Sequence, residues 1–418
     1  MIETAITEER AELLAIAQTM ESAVPQLASR LGAWSDDLEA GLAEAASPLD
    51  AERTLEQATR ALRHVWLQAA ASSTSRTYRS PTQDEHAATP SGRFHNFGYE
   101  RDLQPNTLER RCSAFFDSPP TGWPQDHVLF SSGQAAMNAV LTLLASRQAA
   151  PLRYRHAGSY FETVDLLALF IGRFERSEQR VDVLIAEPVW CDGERFGAHS
   201  FQSLAAQALH AGTRSIVVDS TLAGLDDDLN DLLMALEPNT EVFRLHSGLK
   251  LFQAGLELAD VGIVSVYGGS GGDALRHIRT LQGSGLRFAD VAALELPLFL
   301  DAPSTRRYEC AIFAHNSALA AAARLNLALD AVYPDARHAP FVIFRLAGSD
   351  ADTLDQKIAA AAQRQNLVFD QGGSFGFRSH RFETVRPEGK PPFLRVALGR
   401  RAGPSLDGIL DLFRKWKS

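Results

Sequence analysis

The sequence predicts an α/β fold: a mostly parallel sheet with helices on both faces, followed by a smaller C-terminal α+β domain and preceded by a helical N-terminal extension. Between residues 126 and 266 short β-rich runs alternate with helical patterns, which is the mark of crossover connections. A chain of 418 residues is also long for one core and points to a large domain with a satellite. The expected division is 1–95 for the helical segment and its connector, 96–300 for the large domain and 301–418 for the small one.

Each element follows from its pattern. Residues 6 to about 72 are rich in Ala, Leu and Glu at helical spacing, with helix starts expected at Thr7-Glu8-Glu9-Arg10 and Ser47-Pro48-Leu49-Asp50. From 72 to about 96 Ser, Thr, Pro and Gly dominate, as in a connector or a lid. Strands are then expected at 126–130, 181–186, 215–219, 241–245 and 261–266, and helices at 133–146, 200–211 and 226–236. A long helix at 315–331 precedes strands at 341–346, 367–370 and 393–397 and a last helix at 406–416. The glycine run Gly268-Gly269-Ser270-Gly271-Gly272 reads as a mobile loop near the mouth of a site, because it lacks the helix start and acidic partner of a dinucleotide fingerprint.

Composition narrows the function classes. A net charge of −10 without a strongly basic run argues against nucleic acid as the main partner, while leaving room for a small anion bound locally. Cys112, Cys191 and Cys310 are widely spaced, so neither a disulfide framework nor a zinc site is indicated, and a reducing cytoplasm fits. No apolar stretch approaches a membrane span, and the opening Met1-Ile2-Glu3-Thr4 predicts no signal peptide. His210, His246, His277, His315, His338 and His380 are scattered without metal-ligand spacing; His246, beside Ser247, is the one placed near the expected chemistry.

That chemistry centres on two residues. Asp219 ends the apolar run Ser215-Ile216-Val217-Val218-Asp219, and Lys250 follows in Arg244-Leu245-His246-Ser247-Gly248-Leu249-Lys250. The ordered pair suggests pyridoxal 5'-phosphate, with the Asp keeping the pyridine nitrogen protonated and the Lys carrying the cofactor as a Schiff base. Ser131-Ser132-Gly133-Gln134 lies between a strand and a helix, where freed backbone N–H groups and the helix dipole make a phosphate cradle; Ser132 equally suits an ordinary N-cap. Tyr160, in Gly158-Ser159-Tyr160-Phe161-Glu162-Thr163, offers a ring to stack on a flat cofactor, although a core tyrosine has the same signature. After Glu187-Pro188, Asp192 either faces the cofactor's phenolic edge or opens a turn.

These motifs, in this order, resemble the Cys/Met-metabolism family of pyridoxal-phosphate enzymes, which includes cystathionine synthases and lyases and methionine γ-lyase and has the fold type I aminotransferase-like architecture. Tyr99-Glu100-Arg101 before Gln104-Pro105-Asn106-Thr107-Leu108-Glu109 resembles the family's Tyr-x-Arg ahead of Asn-Pro-Thr. Ser132-Gly133-Gln134 resembles Ser-Gly-Met, Tyr160-Phe161-Glu162-Thr163 resembles Tyr-Gly-Gly-Thr, Asp219-Ser220-Thr221 resembles Asp-Asn-Thr, and His246-Ser247-Gly248-Leu249-Lys250 resembles His-Ser-Ala-Thr-Lys. Gly373-Ser374-Phe375-Gly376 is similar to the Ser-Leu-Gly element, and Leu394-Arg395-Val396 to the segment whose Arg grips the substrate carboxylate. The resemblance covers residues 95 to 418.

The resemblance implies that Ser132, Gly133, Gln134 and Ser247 surround the phosphate, that Thr221 is a further cofactor-binding residue, that Tyr160 stacks on the ring, and that Arg395, Ser374 and Tyr99 meet the substrate. Tyr99 and Arg101 would reach the phosphate in a neighbouring subunit, making the active unit a homo-oligomer with sites at the subunit interface. The implied activity is elimination or replacement at the β- or γ-carbon of an amino acid of the cysteine, methionine or homoserine type. An aminotransferase or other α-carbon chemistry, and a catalytically silent binding protein acting through the N-terminal helices, are the alternatives. Tyr160, or Tyr99 from a partner chain, would help deprotonate the incoming amine. The chain also departs from the family. Leu249 replaces a Thr whose hydroxyl is worth about 0.5–1.5 kcal/mol to the phosphate; Cys191-Asp192 stands where the family has Asn-Pro; and the helical N-terminus lies outside the minimal pattern.

Overall fold

Three long helices open the chain: α1 Ile2–Ala23, α2 Ala28–Glu44 and α3 Pro48–Thr74. Ser47 starts α3 as expected, its hydroxyl accepting from the Asp50 N–H at 3.2 Å. Thr7 does not start α1, which is already helical from Ile2; its hydroxyl donates back to the Glu3 carbonyl at 2.8 Å, one turn earlier, so it sits inside the helix rather than capping it. The apolar faces of the three helices close over Leu256, Leu258, Ala292, Ala293 and Leu296, far along the chain, and the Trp66 indole donates to the Ala293 carbonyl at 2.8 Å. The segment is therefore part of the core rather than an appendage.

Buried charge fastens the same helices to the C-terminal region. Arg378 pairs with Glu9 at 2.8 Å, and Arg401 pairs with Glu56 at 2.6 Å. Burial alone would push the Glu9 carboxyl up, but Arg378 and Arg401 hold it down at about 2. Removing one partner from such a pair typically costs about 3–5 kcal/mol, because the other charge is left buried and alone.

The computed structural model describes residues 2–74, 87–95, 97–193, 195–225, 229–326, 331–333, 339–345, 351–386 and 392–416. Most of the expected connector and His338 lie outside them. A two-strand ribbon, β1 Ala87–Ala88 with β2 Phe94–His95, and helix α4 Asn106–Phe115 lead into the large sheet. Its elements in chain order are β3 Gln125–Phe130, α5 Gly133–Ser146, β4 Leu152–Ala157, α6 Phe161–Ala168, β5 Phe174–Arg176 and β6 Val183–Ala186. A hairpin, β7 Val189–Cys191 with β8 Phe196–Ala198, precedes α7 Phe201–Ala211, β9 Ser215–Asp219, α8 Asn230–Ala235, β10 Glu241–Ser247, β11 Gly262–Tyr267, α9 Gly271–Gln282 and α10 Phe288–Leu294.

The strand order is β3-β11-β10-β9-β6-β4-β5, and β11 alone runs against the others. Val217 packs into one core with α5 and α9, while its neighbours Ile216 and Val218 pack into another with α7 and α8. A sheet buried on both faces in this way needs the near-continuous apolar strands the sequence shows.

The C-terminal region carries α11 Ala302–Ala323, β12 Ala331–Tyr333, β13 Val342–Arg345, α12 Ala351–Arg364, β14 Asp370–Gln371, β15 Arg381–Val385, β16 Phe393–Ala397 and α13 Pro404–Arg414, with sheet order β12-β13-β16-β15-β14. The long helix begins thirteen residues before the expected 315, because the Asp301 carboxylate caps it by accepting from the Ser304 N–H at 3.0 Å and Pro303 suits its first turn. It ends at Ala323, and residue 331, the expected helix end, instead begins a strand. Of the strand expected at 367–370, the structure forms Asp370–Gln371. The glycine run is corrected too. Gly271 and Gly272 begin α9, and Gly268 lies against the Thr240 and Pro238 carbonyls, at the edge of the sheet opposite the site, because antiparallel β11 carries its C-terminus there. No helix among the described residues is long and apolar enough to cross a membrane.

Candidate active site

Parallel strands leave their C-terminal ends at one edge, where loops rather than strands supply the surface, and sites in open α/β sheets form there. Here that edge and the small sheet enclose a cavity of about 530 Å³. Ten residues expected at the site line it: Ser132, Gly133, Gln134, Tyr160, Asp219, Thr221, Ser247, Lys250, Ser374 and Arg395. They arrive from the ends of β3, β9 and β10, from the loop before α6 and from the small sheet.

Lys250 is half-buried, and its ammonium donates to the Ser374 hydroxyl with the Phe375 ring 5.5 Å away. Loss of water, and then nearby Arg395, pull its pKa down to about 8, against the opposing pull of Asp260, Glu162 and Glu257. A far larger share of this amine than of an ordinary lysine is therefore unprotonated at neutral pH, and about half of it at pH 8, which favours a nucleophilic role. Asp219 is pushed the other way, up to about 6, first by burial and then by the nearby Glu187 carboxylate, despite the Thr221 N–H that it accepts at 3.0 Å.

The first turn of α5 lines the cavity. Ser132 is its N-cap, its hydroxyl accepting from the Ala135 N–H at 3.1 Å, so the N-cap reading holds and the residue also lines the cavity. Across the turn the Ser247 N–H donates to the Thr221 hydroxyl at 3.0 Å, which fixes the two hydroxyl-bearing loops relative to each other.

Glu187 organises the opposite wall, a role the sequence reading missed. Its carboxylate accepts from the N–H groups of Ser159 at 3.0 Å and Tyr160 at 3.1 Å, and its Oε1 lies 2.8 Å from His156 Nε2. Gly158 is forced here, because a Cβ would sit 2.5 Å from the Glu187 Cδ. The turn presents Tyr160 to the cavity, where burial and the nearby Glu162 carboxylate raise the phenol's pKa, so that it stays protonated and can donate. Asp192 lines the cavity and also opens a turn, accepting from the Arg195 N–H at 2.6 Å.

Arg395 stands directly opposite Glu383 across β15 and β16, and its Nε donates to Glu383 Oε1 at 2.8 Å. The same oxygen accepts from the Ser374 N–H at 3.2 Å, so one carboxylate positions both residues. Ser374 itself has φ 71°, a left-handed conformation uncommon for a residue with a side chain.

Two expected residues do not join them. Tyr99 is 56% exposed, and the Arg101 side chain is 62% exposed with its guanidinium over the Tyr99 ring at 5.3 Å; neither lines the cavity of its own chain. His246 is also elsewhere, fully buried, stacked on Phe116 at 5.0 Å and held neutral by loss of water.

Solved structures share this architecture. A methionine gamma lyase from Micromonospora echinospora in its apo form matches at 20% identity over 81% of this chain and 91% of its own, with a TM-score of 0.55. Cystathionine gamma-lyase from yeast matches at 17% identity over 76% and 86%, with a TM-score of 0.57. The enzyme of that name from Lactobacillus plantarum, complexed with L-serine, matches at 15% identity over 75% and 87%, with a TM-score of 0.56. The chain has the fold of these lyases. This is the expected fold type I arrangement, and at such identities the likeness establishes the fold alone. No family model and no curated protein matches the sequence. Within the lyase fold, Glu187, Glu162 and Glu383 are what sequence reasoning overlooked. The available signals were an acid immediately after the buried strand Val183–Ala186, and one on the short run Arg381–Val385 that ends up facing Arg395.

Proposed function

We propose that the chain is a pyridoxal-phosphate-dependent lyase or transferase that eliminates or replaces a group at the β- or γ-carbon of an amino acid of the cysteine, methionine or homoserine type. The observation that carries this reading is the convergence of Lys250, Asp219, Tyr160 and the α5 turn on one cavity.

The residues fit the cofactor. A half-buried amine with a pKa of about 8 suits its aldehyde, a carboxylate at the end of β9 suits its ring nitrogen, and the α5 N-terminus with Ser247 suits its phosphate. The Ser159 hydroxyl is buried in the cavity wall without a hydrogen-bond partner among the described residues, as expected of a group awaiting one. When bound, pyridoxal phosphate supplies an electron sink for charge that develops at the substrate's α-carbon.

The chain's own groups do the rest. Arg395, held by Glu383, receives the substrate carboxylate in its planar fork. Lys250 Nζ takes the α-proton and returns it further along the substrate, a two-way duty that its pKa near 8 favours. Asp219 keeps the ring nitrogen protonated. Tyr160, held as a phenol, donates a hydrogen bond and is a poor base, which leaves Tyr99 of the partner subunit as the better group for the incoming amine.

The charges favour a homo-oligomer. Among the described residues the cavity's cations are Lys250 and Arg395, the latter already tied to Glu383, while Glu162, Glu187, Asp192, Asp219 and Asp260 line the same space. A phosphate dianion there calls for another cation, and exposed Arg101 of a second copy supplies it. Mixing inactive Arg101→Ala and inactive Lys250→Ala chains should restore up to about a quarter of wild-type activity by forming hybrid sites; no recovery in mixed oligomers contradicts shared sites. The division into a helical segment, a cofactor domain and a small domain at 1–95, 96–300 and 301–418, and a cytoplasmic setting for the three free cysteines, belong to the same reading.

Product analysis tests the chemistry. Release of ammonia with a keto acid, or formation of a substituted amino acid, supports it; strict dependence on a keto-acid acceptor assigns the site to transamination instead. Arg395→Ala should raise KM about 10- to 150-fold, the worth of a charge-assisted hydrogen-bonded pair, with cofactor retention unchanged. An unaltered KM contradicts the role given to Arg395.

A further inference from the structure

A second cavity of about 330 Å³ lies between α1, the first turns of α11 and the backbone just beyond Lys250. Tyr308 lines it. The residue is 2% exposed, and its hydroxyl has no hydrogen-bond partner among the described residues. An unpaired buried hydroxyl is costly, which makes it a sign of a missing ligand. Burial also raises the phenol's pKa, so it remains a donor.

The surrounding charges define what that ligand is. Arg307, the next residue on α11, lines the cavity and has no ion-pair partner among the described residues. Arg400 pairs with Glu12 at 3.0 Å on one side and has further N–H groups on its fork. Together with Tyr308 they form a donor set for a carboxylate. Glu8 lines the same cavity, as does Asp301, one of whose oxygens serves the Ser304 N–H while the other remains for an ammonium. Ile16 and Leu298 add apolar wall. A phosphate would meet Glu8, Glu12 and Asp301, and a polyamine would meet the arginines. A zwitterion with an apolar tail satisfies both signs.

We propose that this cavity binds a free aliphatic L-α-amino acid, at a second site distinct from the catalytic one. Its wall includes Ala254, four residues beyond Lys250, in a stretch where Leu251, Ala254 and Glu257 all have positive φ and where the Tyr308 hydroxyl packs so closely on Gly255 that a Cβ there would collide with it. The occupant thus shares a wall with the segment that carries the lysine.

L-leucine is the probe, since it has no leaving group on its β- or γ-carbon and cannot be consumed. Calorimetric titration of the full chain should show saturable binding in the wild type, an affinity within twofold of that in Arg395→Ala, and at least tenfold weaker binding in both Tyr308→Phe and Arg307→Ala with unchanged melting temperatures. Binding that disappears in Arg395→Ala places leucine in the catalytic cavity and overturns the proposal, whatever the reaction catalysed there. No saturable binding in the wild type, or full affinity in the two α11 variants, overturns it equally.

Discussion

Replacing Lys250 by alanine is expected to lower turnover by about a hundred- to ten-thousandfold, the span ordinarily carried by a positioned proton-transfer group. The physical reason is local. Burial and Arg395 bring this amine to about 8, so it can give and take a proton at ordinary pH, and its hydrogen bond to Ser374 fixes it against the Phe375 ring. Lys250→Arg separates the two functions of the residue. It preserves positive charge but cannot release a proton, so it should be as inactive as alanine. Substantial activity in the arginine variant would show that charge alone matters and that the proton route runs elsewhere. In the wild type, turnover should rise with pH through about 8, as the amine loses its proton, and this limb should be absent from the residual rate of either variant.

Asp219→Asn is expected to cost about a hundred- to a thousandfold, comparable to removing one preorganised electrostatic contact from a reacting system. Burial and the Glu187 carboxylate set the carboxyl at about 6 before the cofactor arrives, well above its ordinary 3.8. The sign of the linkage follows. A raised folded-state pKa favours the folded chain fully below 3.8, and that contribution is lost as pH rises through about 6. Cofactor affinity runs the opposite way, because the ring's N–H needs the ionised carboxylate: it should weaken as pH falls through about 6. Fluorescence titration with pyridoxal phosphate between pH 5 and 8 checks this. A pH dependence unchanged in Asp219→Asn would remove Asp219 from the ring nitrogen.

The legible parts of the fold were those whose signal is carried by one buried run. Strand Ser215–Asp219, helix Gly133–Ser146 and strand Phe393–Ala397 form at the expected residues, because continuous burial and a serine cap leave few alternatives. Strand Leu152–Ala157 was not legible: its residues Arg153, Tyr154, Arg155 and His156 are only partly buried and show no apolar stripe. Arg381–Val385 has one buried side chain, Phe382, and becomes a strand through its neighbours. The glycine run was misplaced because nothing in a sequence says that β11 runs antiparallel, and that reversal sends Gly268 to the far edge. At the site, motif residues were legible as a set, while the carboxylates that hold them were not. Glu187 and Glu383 act by accepting hydrogen bonds from residues brought together only by the tertiary fold.

The central claim is that the amine of Lys250 bonds covalently to pyridoxal phosphate, and one measurement addresses it most directly. Purified protein incubated with the cofactor is reduced with borohydride, digested and mapped by mass spectrometry. The account predicts a phosphopyridoxyl group on the peptide containing residue 250 and no stoichiometric label in Lys250→Ala. Stoichiometric label on a different lysine, or equal labelling of the alanine variant, contradicts it.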